Sequence, residues 1–228
     1  MGGSLKAIIL AAGVGRRLKS TLPKTLLEFE KGKTFLSNIL DNLYSNGLKE
    51  IVCVVGYKKE LIMEKYPTLL YVYNPKFAFT NTGFSLRMAL MSIEPDDLLI
   101  INGDVYFERA SWFRSLFDME GNVVAVKRAS CGEEEVKVLL DGEGKVIEIS
   151  KLVPCEKAYG EAIGIYKVSE QYFNDLLESL NQLEDEDFYE KAFSLMIRKG
   201  IKFSLLDVGS SFCVEVDFPE DLELVAKK

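Results

Sequence analysis

Lys6–Leu26, KAIILAAGVGRRLKSTLPKTL, is the stretch on which the reading of the fold turns. Ala7–Leu10 is an unbroken apolar run with two β-branched residues, which suits a strand covered on both faces of a mostly parallel sheet. Ala11, Ala12, Gly13 and Gly15 follow at once. With little or no side chain, they let backbone N–H groups approach an anion at the carboxyl end of that strand. Arg16, Arg17, Lys19 and Lys24 then add positive charge, and a phosphate chain is the expected guest. A plain glycine turn with a solvated basic loop is the competing reading, and four cations beside a strand end argue against it. Two other phosphate loops fail on spacing. The dinucleotide pattern G-x-G-x-x-G has Leu18 where its third glycine belongs. Gly32-Lys33-Thr34 lacks the earlier glycine of a Walker loop, because Leu27 stands there, and reads as a turn before a helix.

LAAGVGRRL followed by PKTL resembles the signature of the nucleotidyltransferases, which join a nucleoside triphosphate to a phosphomonoester and release pyrophosphate. The usual form is L-A-A-G-x-G-(T/S)-R-L with P-K-x-L, so Arg17 and Lys24 match and Arg16 departs. The resemblance implies that Leu10, Ala11, Ala12, Gly13, Gly15, Arg17 and Lys24 hold the nucleotide.

Working outward, Phe35, Ile39, Leu40 and Leu43 fall at helical spacing, and Asn46-Gly47 ends that helix. Ile51–Val55, Leu69–Tyr73 and Asp97–Ile101 are further buried strands, with a short charged helix over Lys58–Lys65. Alternation of strand and helix predicts an α/β fold, a doubly wound, mostly parallel Rossmann-like sheet with its ligand at the carboxyl ends of the strands. Thr80–Ala89 is polar, then helical. Taken alone it is an N-cap on Thr82 or Asn81, and by its likeness to T-N-N-x-x-S-L, Gly83 and Ser85 would read the base. Asn102-Gly103-Asp104 follows a buried strand, and the resemblance makes Asn102 a nucleotide contact and Asp104 a ligand of Mg²⁺.

From Asn122 the pattern changes to short strands, Val123–Val126, Val136–Leu140 and Val146–Ile149, with a hairpin turn at Asp141–Gly144. We read this as a small β-rich insertion, completed by a strand over Ala162–Val168. EEEVKVLLDGEGKVIEISK, with the later GEAIGIY, resembles the branch that cytidylylates phosphoalcohols such as inositol 1-phosphate and phosphocholine. By that likeness Lys151 holds the acceptor's phosphate and Glu161 faces its alcohol moiety. In isolation, these two would be a solvated strand end and a surface charge. Glu170–Leu183 and Asp187–Lys199 read as helices whose apolar stripes serve core or subunit contact. Asp217, in CVEVDFPEDLEL, reads in isolation as an N-cap. The resemblance to (I/V)-D-x-P-E-D-L makes it instead the second metal carboxylate, paired with Asp104.

The 228 residues are read as one domain, a nucleotide-binding half over about 5–121 and an acceptor-binding half over about 122–228. A net charge of −7 without a long basic tract argues against nucleic acid. No run reaches the length of a membrane span, and residues 1–5 are too short and polar for a leader. Cys53, Cys131, Cys155 and Cys213 form no C-x-x-C, and there is no histidine, so a zinc site is not expected and a cytoplasmic setting is. Only Gln171 and Gln182 stand beside abundant Lys and Glu, a bias of proteins from hot organisms. What the resemblance implies is transfer of CMP from CTP to a phosphoalcohol. Inositol 1-phosphate is favoured, with phosphocholine or 2-aminoethylphosphonate next and a sugar 1-phosphate third. A choline box would draw on Phe84, Tyr106, Tyr166 and Glu161. A nucleotide-binding module without catalysis is the reading from another class, and a homodimer is the expected assembly if there is one.

Overall fold

A computed structural model describes residues 5–18, 20–108, 111–128 and 132–227. Lys19 and Cys131 lie outside them, as does the side chain of Arg16. The opening apolar run forms β1 (Leu5–Ala11). A small hairpin, β2 (Glu28–Glu30) and β3 (Lys33–Thr34), leads into α1 (Phe35–Ser45). Gly32 makes its turn at φ 80°, and Thr34 caps the helix, its Oγ1 accepting from Ser37 N at 3.1 Å while Ser37 Oγ accepts from Thr34 N at 2.8 Å. The G-K-T tripeptide is therefore a turn and a cap.

Next come β4 (Ile51–Val55), α2 (Lys59–Lys65), β5 (Leu70–Tyr73), α3 (Thr82–Leu90), β6 (Asp97–Asn102), β7 (Val105–Phe107) and α4 (Ser111–Asp118). The second half holds β8 (Asn122–Lys127), β9 (Lys137–Leu140), β10 (Val146–Ser150), β11 (Gly160–Val168), α5 (Phe173–Asn181) and α6 (Glu190–Arg198). It closes with β12 (Phe203–Asp207), β13 (Cys213–Glu215) and α7 (Pro219–Ala226).

β6, β1, β4 and β5 run parallel as neighbours. Alternate residues of β1 serve opposite faces, as a doubly wound sheet requires. Ala7, Ile9 and Ala11 pack with α1 and α4, and Ile8 and Leu10 pack with α3, α5 and α6. The departure from parallel order is β11. It lies antiparallel to β8 along one edge; along the other it pairs with β6 through Ile165–Val168 and with β9 through Gly160 and Glu161. The sheet therefore forks where β11 changes partner, and the register breaks between Ala162 and Tyr166. Gly164 occupies the bend at φ 69°, where a Cβ would stand 2.8 Å from Asn102 Nδ2. Glycine meets both demands. The gap of the fork opens beyond the carboxyl end of β6, and Val136 and Lys151, which flank the β9–β10 hairpin, stand across it.

Candidate active site

The end of β1 and the loop after it supply Leu10, Ala11, Gly13, Gly15 and Arg17 to one cavity of about 450 Å³. Lys24, Asn102, Asp104 and Asp217 complete its near side, and Lys151 and Glu161 line its far side. Ala12 is buried beneath the loop, its carbonyl accepting from Tyr57 N at 3.1 Å. Gly103 N donates to Leu10 O at 2.9 Å and fixes the β6 edge against the β1 edge.

At the centre, Lys24 Nζ lies 2.6 Å from Asp104 Oδ2 and 2.6 Å from Asp217 Oδ1. Burial pulls the ammonium's pKa down, but the attraction and hydrogen bonds of the two carboxylates outweigh that and hold it above its ordinary value. Arg17 reaches Glu134 at 3.2 Å and Asp217 at 3.7 Å, with its guanidinium 5.3 Å from the Phe218 ring centre. Asp217 is not the cap of α7. That work falls to Asp221, whose Oδ2 accepts from Asp217 N at 3.0 Å and Phe218 N at 2.8 Å, leaving the Asp217 carboxylate to Lys24.

Gly83 and Ser85 do not line the cavity. Gly83 N is spent on Asp187 O at 3.1 Å, and Ser85 is buried with its Oγ accepting from Asn74 Nδ2 at 3.1 Å. Asn81 and Thr82, one turn earlier, stand at the cavity wall instead. Of the four residues of a choline box only Glu161 lines the cavity. Phe84 and Tyr166 are buried, and Tyr106 faces a separate cavity of about 640 Å³ with Phe29 and Asn38.

Spacing did not disclose Glu215, Glu190 or Phe188, all on the wall. Asn102 Nδ2 donates to Glu215 Oε1 at 2.5 Å, and Tyr189 OH donates to Asn102 Oδ1 at 2.9 Å, so Asn102 is held from both sides. Burial, with Asp104 nearby, raises the Glu215 carboxyl well above its usual range. Glu190 follows Tyr189 and is pushed up to about 7 by burial. Lys151 Nζ sits 4.4 Å over the Phe188 ring.

Asp104 and Asp217 offer hard oxygen donors that already converge on one cation, the Lys24 ammonium. Among the described residues no group of three or more His, Cys, Asp or Glu could hold a metal, so a Mg²⁺ ion at this pair would take its remaining ligands from phosphate and water, as that ion commonly does. The donor set fits it.

Residues 7–189 match the MobA-like NTP transferase domain. Over 98% of its length the chain is 26% identical to the CTP:phosphoglutamine cytidylyltransferase of Campylobacter jejuni, all of which it covers. Over 95% of its length it is 28% identical to the CMP-5'-(3-aminopropyl)phosphonate synthase of Streptomyces rubellomurinus, spanning 37% of that protein. The structure of the inositol-1-phosphate CTP transferase from T. maritima superposes with a TM-score of 0.81 at 21% identity, covering 99% of this chain and 96% of that one, and so has the same fold.

Proposed function

This chain belongs to the MobA-like NTP transferase family, and from that premise we propose that it transfers CMP from CTP to a phosphorylated acceptor and releases pyrophosphate. One observation carries the reading: a lysine and two aspartates from three distant parts of the chain meet at 2.6 Å contacts on the shared edge of β1 and β6, in a cavity that also contains Lys151.

In the reaction, an oxygen of the acceptor's phosphate attacks the α-phosphorus of CTP. A P–O bond forms there as the bond to the bridging oxygen breaks, and pyrophosphate leaves with that electron pair. A phosphomonoester is already anionic near neutral pH, so no general base is required, in keeping with a chain that has no histidine. What the site must supply is alignment and positive charge for two polyanions. Arg17 and Lys24, with N–H groups around Gly13 and Gly15, hold the triphosphate; Asn81 and Thr82 face the nucleoside; Lys151 brings in the acceptor's phosphate. Asp104 and Asp217 would hold Mg²⁺, which when bound offsets charge at the α-phosphate. We take residues 5–121 and 122–228 as nucleotide and acceptor halves of one domain, working in the cytoplasm. Among the described residues no helix is long and apolar enough to cross a membrane.

The relatives are named for different acceptors, so kinship supports the reaction and leaves the acceptor to the cavity. Inositol 1-phosphate, favoured by composition, stands beside amino-bearing acceptors on equal terms. The test is pyrophosphate release with Mg²⁺ across CTP, UTP, GTP, dTTP and ATP, each against inositol 1-phosphate, phosphocholine, 2-aminoethylphosphonate and glucose 1-phosphate. CTP giving the fastest release with at least one acceptor is expected. Binding of CTP with no release from any pair would instead mark a nucleotide-binding module.

A further inference from the structure

Glu190 stands at the start of α6 with 5% of its surface exposed. Its Oε1 meets the Tyr166 hydroxyl at 3.5 Å, the outer limit of a hydrogen bond. Its Oε2 is buried and meets no donor in good hydrogen-bond geometry, although its own backbone N–H and the Tyr189 hydroxyl lie close enough to favour its charged form. A buried carboxylate oxygen without a donor is costly, and proteins rarely keep one without a use. Glu190 is on the cavity wall, within the field of Lys151, so the missing donor has a place to come from.

The charge on that wall narrows what the donor is. Its cations are Arg17, Lys24 and Lys151, against eight carboxyl groups, of which burial pushes Glu161, Glu190 and Glu215 toward the neutral form and leaves five acids to outnumber the three cations. Arg17 meets Glu134 and Asp217, and Lys24 meets Asp104 and Asp217, and in the proposed reaction both turn to the triphosphate, so neither serves Glu190. That leaves Lys151, which the acceptor's phosphate requires. A neutral hydroxyl would satisfy Oε2 but not the excess of negative charge. A quaternary ammonium has no N–H to give and needs open aromatic faces, while Phe188 is covered by Lys151 and Phe218 by Arg17. A primary ammonium supplies both the charge and the N–H.

Resting on the cytidylyl-transfer reading, we propose that the acceptor is a short phosphorylated or phosphonylated primary amine, and that Glu190 is the residue that selects it by accepting a hydrogen bond from its ammonium. Glu161, mostly buried on the same wall with its carboxyl raised by burial and by Glu135, adds to the negative field around it.

The test compares kcat/KM of the full chain with CTP and five acceptors: phosphoethanolamine, 2-aminoethylphosphonate, phosphocholine, inositol 1-phosphate and glycerol 3-phosphate. A primary amine should lead the others by about tenfold or more, the scale of one hydrogen bond to a charged group. Glu190→Gln should raise KM for the amine by about the same factor and remove most of its lead over the neutral acceptors. Preference for a neutral acceptor or for phosphocholine would overturn the assignment and leave cytidylyl transfer standing. So would a Glu190→Gln variant that weakens all acceptors alike, because that is the mark of a carboxylate serving only Lys151 or the packing. No turnover with any acceptor would overturn the transfer reaction itself, and this assignment with it.

Discussion

Lys24 keeps two carboxylates within bonding distance of one point, so either aspartate can be neutralised without losing the other contact. Asp104→Asn and Asp217→Asn should each lower kcat by about a hundredfold or more while circular dichroism and Tm stay near wild type. Wild-type turnover in both variants would remove them from the chemistry. Glu190 carries a separate prediction. Its carboxyl rises from 4.5 to about 7 on folding, so between those pH values the folded chain holds a proton that the unfolded chain has lost. Stability therefore falls as pH rises through that window. Above it the full cost is present, roughly 3 kcal/mol at 1.36 kcal/mol per unit. Glu190→Gln should melt several degrees higher than wild type at pH 8 and no higher at pH 4. Equal Tm differences at both would show that the carboxyl is not buried as a charge. The meeting of Lys24, Asp104 and Asp217 was legible through the resemblance of PKTL, NGD and VDFPEDL to family motifs; taken alone, Asp104 was as much a turn residue and Asp217 an N-cap. Glu190 was not legible. It stands beside Phe188 and Tyr189 in a segment whose apolar spacing reads as core, and nothing local distinguishes a carboxylate facing a cavity from one facing water.

Strand ends and helix spacing were legible for β1, β4, β6, α1 and the β9–β10 hairpin, where hydrophobic period and turn residues agree. The helices after β11 begin later than their stripes suggest. Glu170–Tyr172 is a 3-10 turn ahead of α5, and α6 starts at Glu190 rather than Asp187. β12 was missed although Gly200 and Gly209 bracket it, because its short run is only partly buried and its partner β8 lies far away in sequence. The change of partner along β11 left no trace in periodicity, because pairing is a tertiary choice. Gly164 is where that choice became a sequence requirement. Gly164→Ala should lower stability by about 2 kcal/mol or more, through a left-handed φ and a Cβ pressed on Asn102, read as a lower urea midpoint. A neutral result would mean that the bend relaxes freely. Thr34→Ala tests an ordinary element end in contrast, and should cost about 1 kcal/mol through the lost cap.

At the scale of the whole molecule, both halves share one nine-stranded sheet through β11. A continuous sheet joins them even though their sequence patterns differ, and we propose that they fold as one unit. Trp112 is the chain's single tryptophan and is buried in the first half of the chain. Its fluorescence and the far-UV circular dichroism of the whole chain should therefore trace one coincident denaturation curve. Separate midpoints would mean that the halves melt apart.

The fork in that sheet also bears on how such a protein diverges. The proposed triphosphate contacts stand on the trunk, at the carboxyl end of β1 and in the loop that follows it. The far side of the cavity, at Val136 and Lys151, flanks a branch, β9 and β10, which pairs with the rest of the sheet through Gly160 and Glu161 of β11. On the proposed reading, a change on the branch alters the acceptor while the chemistry on the trunk stays as it was.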